Sequence, residues 1–271
     1  MKIGIIGQGY VGSAVKILFQ KYYDVLTYDI NPDLSTCKTI NELVNQSNII
    51  FVCVPTPMNK DGSCNINTVR EVIETINKIS NLEENKIVAI KSTIIPGSTD
   101  DLISKNKNIS ILFNPEFLTE ANYIEDFKNQ DRIIIGGDNK VAEILKDIYA
   151  SVFKDIPVLI TTTKVAEMIK YLTNTFLATK VSFANEMKLI CESLNIDFDE
   201  VLKLSKYDKR LGLSHWSVPG PDGKPGFGGS CFPKDINAII SFCRDNDINI
   251  STLSGVWKTN LFVRPEKDWE S

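Results

Sequence analysis

Residues 2–12 read KIGIIGQGYVG, and this stretch decides the fold. KIGII (2–6) is a short apolar run, GQGYVG (7–12) follows at once, and Val11, Ala14, Val15, Leu18 and Phe19 then recur at helical spacing. The pattern is strand, glycine turn, helix. At Gly7, Gly9 and Gly12 no Cβ obstructs a pyrophosphate resting on helix N-terminal amides, with Tyr10 and Val11 completing the turn. Asp29 ends the second apolar run, about twenty residues on, where a carboxylate accepts hydrogen bonds from ribose hydroxyls and repels a 2′-phosphate. The expected cofactor is NAD rather than NADP. The bland alternative, a turn that only packs helix on strand, does not require the acid.

Outward from this unit, DVLTYD (24–29), NIIFVCV (48–54), KIVAIKS (86–92), ISILF (109–113) and RIIIGG (132–137) are β-branched and apolar nearly throughout, as buried parallel strands are. Polar segments of helical period, such as 67–80 and 138–150, lie between them. This predicts an α/β chain whose N-terminal part is a doubly wound parallel sheet of the Rossmann type. From Thr163 to Asn195 there is neither Gly nor Pro, so one long helix of about 48 Å is expected to found a smaller all-helical domain. Further helices are expected near 197–206 and 232–246, with a Gly- and Pro-rich loop over 212–230. The predicted domains are 1–162 and 163–271. The charged tail VRPEKDWES is expected to be loosely held.

The chain has 271 residues, of which 43% are hydrophobic and 24% charged, with a net charge of −4. No basic surplus is present to neutralise a phosphate backbone, so nucleic acid is not an expected partner. No apolar run approaches the roughly 18 residues of a membrane span, and a cytoplasmic protein is expected. Six cysteines without a C-x-x-C pair read as reduced thiols, and the single His215 leaves no histidine-based metal site or triad. His215, beside Trp216, is expected in a loop.

Four stretches carry candidate chemistry. KSTIIPGS places Thr93 just past a strand's carboxyl end, where ligands bind open sheets. NPEFLTEANY sets Glu116 and Glu120 four apart, facing one cleft if the segment is helical. On the long helix Lys170 and Asn174 share a face at i and i+4. GFGGSCFPKD (226–235) supplies Cys231, Lys234 and Asp235; a lysine and an adjacent helix N-terminus favour thiolate. For Cys53, in an apolar strand, and for Cys191, inert packing is the better reading.

With GQGYVG, VPTPM, KSTIIPG, NPEFLTEA, KYLTNTF and GFGGSCFPKD in this order, the chain resembles the UDP-glucose/GDP-mannose dehydrogenase family from Met1 to about residue 260. The resemblance implies a four-electron oxidation of the C6 alcohol of a nucleotide sugar, UDP-glucose to UDP-glucuronate, with two NAD turnovers. It implies that Asp235 with a water, aided by Lys170, is the first base. Cys231 then forms a thiohemiacetal and a thioester, Lys170 and Asn174 stabilise the oxyanion, and Glu120 with a water at Thr93 drives hydrolysis. It further implies cofactor contacts by Pro55, Thr56, Thr93, Glu120 and Lys234, and substrate contacts by Glu116, Phe117, Leu118, Lys170, Asn174, Arg210 and Gly228. Members continue into a further α/β domain that grips the nucleotide, near whose start this sequence stops. The 211–230 loop is also longer than the family pattern, with Pro225 where an aromatic is common. Another sugar nucleotide, or a second polypeptide completing the site, therefore stays open. A homodimer through the helical domain is expected from the long helix and the apolar segment 252–263. Two alternatives remain: a β-hydroxyacid-type dehydrogenase transferring one hydride without a cysteine, and a catalytically inactive protein that binds NAD or a sugar nucleotide.

Overall fold

The structure, a computed structural model, describes residues 1–270. Among them seven strands, β1 (Lys2–Ile6), β2 (Asp24–Tyr28), β3 (Ile49–Val52), β4 (Ile87–Ile90), β5 (Ser110–Phe113), β6 (Ile133–Gly136) and β7 (Val158–Thr161), form one sheet of order β2-β1-β3-β4-β5-β6-β7. Helices α1 (Tyr10–Phe19), α2 (Ile40–Gln46), α3 (Asn67–Ile79), α4 (Ser98–Lys105), α5 (Tyr123–Lys128) and α6 (Asn139–Val152) lie between successive strands. Pairing is parallel except between β5 and β6, which meet antiparallel at Phe113 and Gly136. The connection there contains only the 6-residue α5, and the chain turns back rather than crossing over. Strand β7 escapes a reading based on buried apolar runs, because it is an edge strand whose Leu159 is 49% exposed.

The chain divides into two compact units, residues 1–56 with 65–170, and residues 57–64 with 171–270. In the first, Ile3, Ile5, Val15, Phe19, Phe51 and Leu112 belong to a continuous core. Phe19 meets Phe51 and Tyr149 edge-on, with ring centroids 5.5 and 5.4 Å apart. Such tilted packing satisfies the aromatic quadrupoles as well as burying area. The sheet's order reverses at β1, between β2 and β3, so the crevice at the carboxyl ends of β1 and β3 is where an open sheet takes its ligand.

The 31-residue α7 (Thr163–Ser193) runs uninterrupted, as the absence of Gly and Pro predicts. The second unit adds α8 (Phe198–Ser205), α9 (Phe232–Asp245) and α10 (Ser251–Val263). Asp197 caps α8 by accepting from the Asp199 amide, and Pro233 occupies the first turn of α9, where no amide is needed. Residues 57–64 fold onto this unit as a small turn closed by a Met58–Cys64 bridge; Gly62 lies against Asn237, and Arg244 Nη1 donates to Asp61 O at 3.5 Å. The tail corrects the sequence expectation of loose tethering. Arg264 is 2% exposed and ion-paired to Asp222 and Asp268, and Trp269 packs 5.2 Å from Trp257. The charge of Arg264 and Asp268 goes into internal pairs rather than into solvent.

Candidate active site

The glycine turn follows β1 directly. Gly7 has φ +90°, a left-handed conformation that other residues adopt only with strain, and a Cβ on Gly12 would lie 1.9 Å from Gly7 O. A Cβ on Gly9 would meet nothing within 4 Å, so the ground ahead of the α1 N-terminus is open at the backbone. Asp29 follows β2 and reaches back: its Oδ2 accepts from the Gln8 amide at 2.6 Å and its Oδ1 from Asn31 at 2.8 Å. The carboxylate therefore stands beside the turn with further lone pairs available. This chemistry fits an adenosine ribose and pyrophosphate. Tyr10, at the first position of α1, is 53% exposed and stacks obliquely on Tyr123, 5.3 Å away. Pro55 and Thr56 follow β3 on the same sheet edge, and Thr56 is buried.

Thr93 is buried in the loop after β4. Glu116 and Glu120 do not share a helical face, because 114–119 is irregular and α5 starts only at Tyr123. Glu116 turns instead to α7: Lys170 Nζ donates to Glu116 O at 2.7 Å and to its Oε1 at 3.0 Å. Both partners are nearly enclosed, at 3% and 10% side-chain exposure, which strengthens the pairing and makes loss of either costly. Phe117 lies under Lys170 at 5.6 Å and under Arg132 at 4.5 Å. Glu116, Phe117 and Leu118 line a cleft of about 350 Å³ together with Lys91 and Arg132.

Lys91 is a residue that the motif reading passed over. It is 3% exposed and donates to Asn114 Oδ1 at 3.1 Å, while Tyr149 donates to the same oxygen at 2.5 Å. Burial lowers the Lys91 ammonium to about 8, and burial pushes the nearby Cys53 thiol up to about 12. A protonated thiol is a poor nucleophile, in keeping with the inert reading of Cys53. The signal for Lys91 was a lysine closing an otherwise apolar strand. Cys191 is likewise buried, in the α8 core, and none of the six cysteines is disulfide-bonded.

In the second unit four expected residues converge. Cys231 precedes α9, and its carbonyl accepts from the Asp235 amide at 2.9 Å. Asp235, 1% exposed, accepts from Lys234 Nζ on Oδ1 and from Asn174 Nδ2 on Oδ2, each at 2.6 Å. Burial acts to lower the Lys234 pKa, but the charges of Asp235, Cys64 and Cys231 outweigh it and the net shift is upward. Lys234 thus stays cationic within electrostatic reach of Cys231. Gly228 lies three residues before the thiol. Arg210 is not drawn into this cluster: its side chain is 88% exposed and engages Asp208. His215 sits in the loop as expected, with its ring 5.7 Å from Phe232.

The fold and the glycine turn define a nucleotide-cofactor protein with a thiol-bearing helical unit. Residues 33–153 match the model of the UDP-glucose/GDP-mannose dehydrogenase family NAD-binding domain, and 164–261 match that family's central domain. The chain belongs to the UDP-glucose/GDP-mannose dehydrogenase family. It is 38% identical over 226 residues to UDP-glucose 6-dehydrogenase of Rickettsia bellii, covering 81% of this chain and 50% of that protein. A UDP-glucose 6-dehydrogenase of Bacillus subtilis is likewise 38% identical, over 79% of this chain and 49% of its own length. The chain therefore spans about half the length of these curated relatives. The UDP-glucose dehydrogenase structure from Pyrobaculum islandicum superposes with a TM-score of 0.88 at 30% identity, over 96% of this chain and 68% of that one. A 3-hydroxyisobutyrate dehydrogenase of Mycobacterium tuberculosis reaches 0.80 at 15% identity and shares the fold alone. No helix among the described residues is long and apolar enough to cross a membrane.

Proposed function

We propose that the chain is an NAD-dependent nucleotide-sugar 6-dehydrogenase that oxidises UDP-glucose to UDP-glucuronate through a covalent intermediate on Cys231, in the cytoplasm. The observation that carries this reading is the buried Asn174–Asp235–Lys234 cluster at the head of the helix that begins after Cys231. We read 1–162 as the cofactor domain and 163–271 as the catalytic and dimerisation domain.

Gly7, Gly9, Tyr10, Val11, Gly12 and Asp29 would hold NAD at the turn, with Pro55, Thr56, Thr93, Glu120 and Lys234 as further contacts. NAD supplies the hydride acceptor for both oxidations. Residue roles follow the family motifs. Asp235, through a water and aided by Lys170, takes the proton from the C6 hydroxyl as the alcohol becomes an aldehyde. Cys231 Sγ adds to the aldehyde carbon, and donors on Lys170 and Asn174 bear the charge on the resulting oxygen. Loss of a second hydride from that carbon leaves a thioester. Glu120 takes a proton from a water held at Thr93, the hydroxide adds to the thioester carbonyl, and the carbon–sulfur bond breaks to release the acid and the thiolate. Glu116, Phe117, Leu118, Arg210 and Gly228 would contact the nucleotide sugar.

Homodimerisation through α7 is part of the proposal. Val165, Met168, Leu172, Phe176, Phe183, Ile190 and Leu194 recur at steps of three, four or seven residues along this helix and its end, each between 46 and 63% exposed. An apolar stripe of that length matches a helix–helix interface.

Incubation with UDP-glucose and NAD tests the chemistry by stoichiometry. Two NADH per sugar and a uronic acid product are expected. One NADH would favour the hydroxyacid-type reading, and NAD binding without turnover on any nucleotide sugar would favour the inactive one. Sedimentation tests the assembly, since a fully active dilute monomer would refute the dimer.

A further inference from the structure

The segment that hands the chain to Cys231 contains Gly226, Gly228 and Gly229, and such a segment loses much conformational freedom when it is fixed. Side chains from distant positions of the second unit fix it. Asn260 of α10, wholly buried, accepts from Phe227 N at 2.7 Å and donates to Phe227 O at 3.0 Å. Its amide thus engages both backbone groups of one loop residue, as a neighbouring strand would. Asn185 of α7 accepts from Gly226 N at 3.1 Å.

Arg264, just past α10, lies directly against the loop. A Cβ built on Gly228 would stand 2.3 Å from Arg264 Nη2 and 2.6 Å from Cζ, so only glycine permits this approach. The guanidinium is held by two acids and a carbonyl. Nε and Nη2 donate to Asp268 at 2.9 and 2.6 Å, Nη2 to Asp222 at 2.6 Å, and Nη1 to Pro225 O at 3.3 Å. A charge 2% exposed is tolerated only with partners of this quality. Asp222 and Pro225 lie in the 211–230 loop. Residues 264–268 and that loop are therefore tied together beside Gly228.

We propose that Asn260 and Arg264 are positioning residues for Cys231: they fix residues 225–230 so that the thiol at the head of α9 is presented in one orientation. The inference rests on the reading of Cys231 as the nucleophile. Its physical content is that a misplacement of about 1 Å at a reacting atom costs on the order of 100-fold in rate.

The test uses the full chain with Asn260→Ala, Arg264→Lys and the milder Asp268→Asn, the last removing one carboxylate from the guanidinium. Iodoacetamide labelling of Cys231 is followed by mass spectrometry from pH 6 to 10, alongside kcat, KM for UDP-glucose, NAD affinity and thermal unfolding. A shifted or broadened labelling profile at Cys231 is expected in all three, with kcat reduced roughly 10- to 100-fold in Asn260→Ala, less in the others, and NAD affinity within about two-fold. A purely structural role predicts a lower melting temperature with an unchanged labelling profile. If Asn260→Ala does not fold, Arg264→Lys and Asp268→Asn decide. Unchanged labelling and kcat in both overturn the proposal. Labelling needs no turnover, so a failure of the nucleophile reading, seen as acid formation by Cys231→Ser, is a separate result.

Discussion

In the sheet unit the largest buried side chains are aromatic and aliphatic, Phe19, Phe51, Phe113, Ile3 and Ile5 among them, whereas the helical unit buries Asn174, Asn185, Asn260, Asp235 and Arg264, none more than 6% exposed. The first is held by non-directional burial, which tolerates change of detail as long as volume is kept. The second adds to its apolar clusters a set of buried directional bonds, in which each lost partner leaves another group unsatisfied. A scaffold that only has to stand can be built the first way. A loop that must present one sulfur in one place needs the second.

The sharpest way to break this contrast is Cys231→Ser. Acid formation should fall by 10³-fold or more, on the order seen for removal of a nucleophile, while NAD affinity and the melting temperature hold. Persistent acid formation would remove covalent chemistry from the account. On the other side, Phe51→Ala in the sheet core should destabilise by about 3–5 kcal/mol through lost contacts and a cavity. Denaturant unfolding reports it, and a cost below about 1 kcal/mol would mean that this core repacks more freely than its aromatic geometry implies.

The sheet unit also has directional features, and one of them sharpens the comparison from within. Glu167 of α7, 0% exposed, accepts from Gly97 N at 2.6 Å, Thr99 N at 2.8 Å and Thr99 Oγ1 at 2.6 Å, and so anchors the start of α4. Burial raises its carboxyl pKa although those three bonds oppose the shift. Glu167→Ala should cost roughly 1–3 kcal/mol by orphaning the donors, with Glu167→Gln recovering part of it. Equal stability for both variants and the parent would show that solvent replaces the anchor.

The smallest effect is a pH slope. Between pH about 8 and 9.0, Lys91 has lost its proton in the folded chain while the unfolded lysine, at 10.5, keeps it. The unfolded state binds more protons, so stability rises with pH, by at most about 1.4 kcal/mol over that unit. Above 9.0 the unfolded Cys53 thiol ionises while the folded one holds its proton to about 12, and stability falls on that account. The two slopes oppose one another up to about 10.5. Lys91→Met should remove the rise and leave the fall, read as urea midpoints from pH 7.5 to 10; a rise that survives in Lys91→Met would assign it to another group.

How much of this was legible in the sequence follows the same division. β1, β3, β4 and α7 announce themselves because an apolar period or an unbroken helical run is enough to define them. Edge strand β7 and the antiparallel β5–β6 junction do not, since half-exposed residues carry no clear period and direction depends on the path of a loop. At the site, Cys231, Lys234 and Asp235 were visible together because they are close in sequence, and Asn174 joins them through family likeness. Asn185, Asn260 and Arg264 were invisible. Asp268 apart, their partners lie 33 to 42 residues away, and a polar residue within or beside a helix looks the same whether it faces water or a buried backbone.

Residues 57–64 are encoded within the sheet half of the chain yet belong to the compact unit built from 171 onward. Gene truncation therefore cannot isolate the helical unit cleanly: a fragment starting at Tyr171 would leave Asn237 and Arg244 without the turn that covers them. Dissection would have to graft the eight missing residues, through a designed linker, onto that fragment.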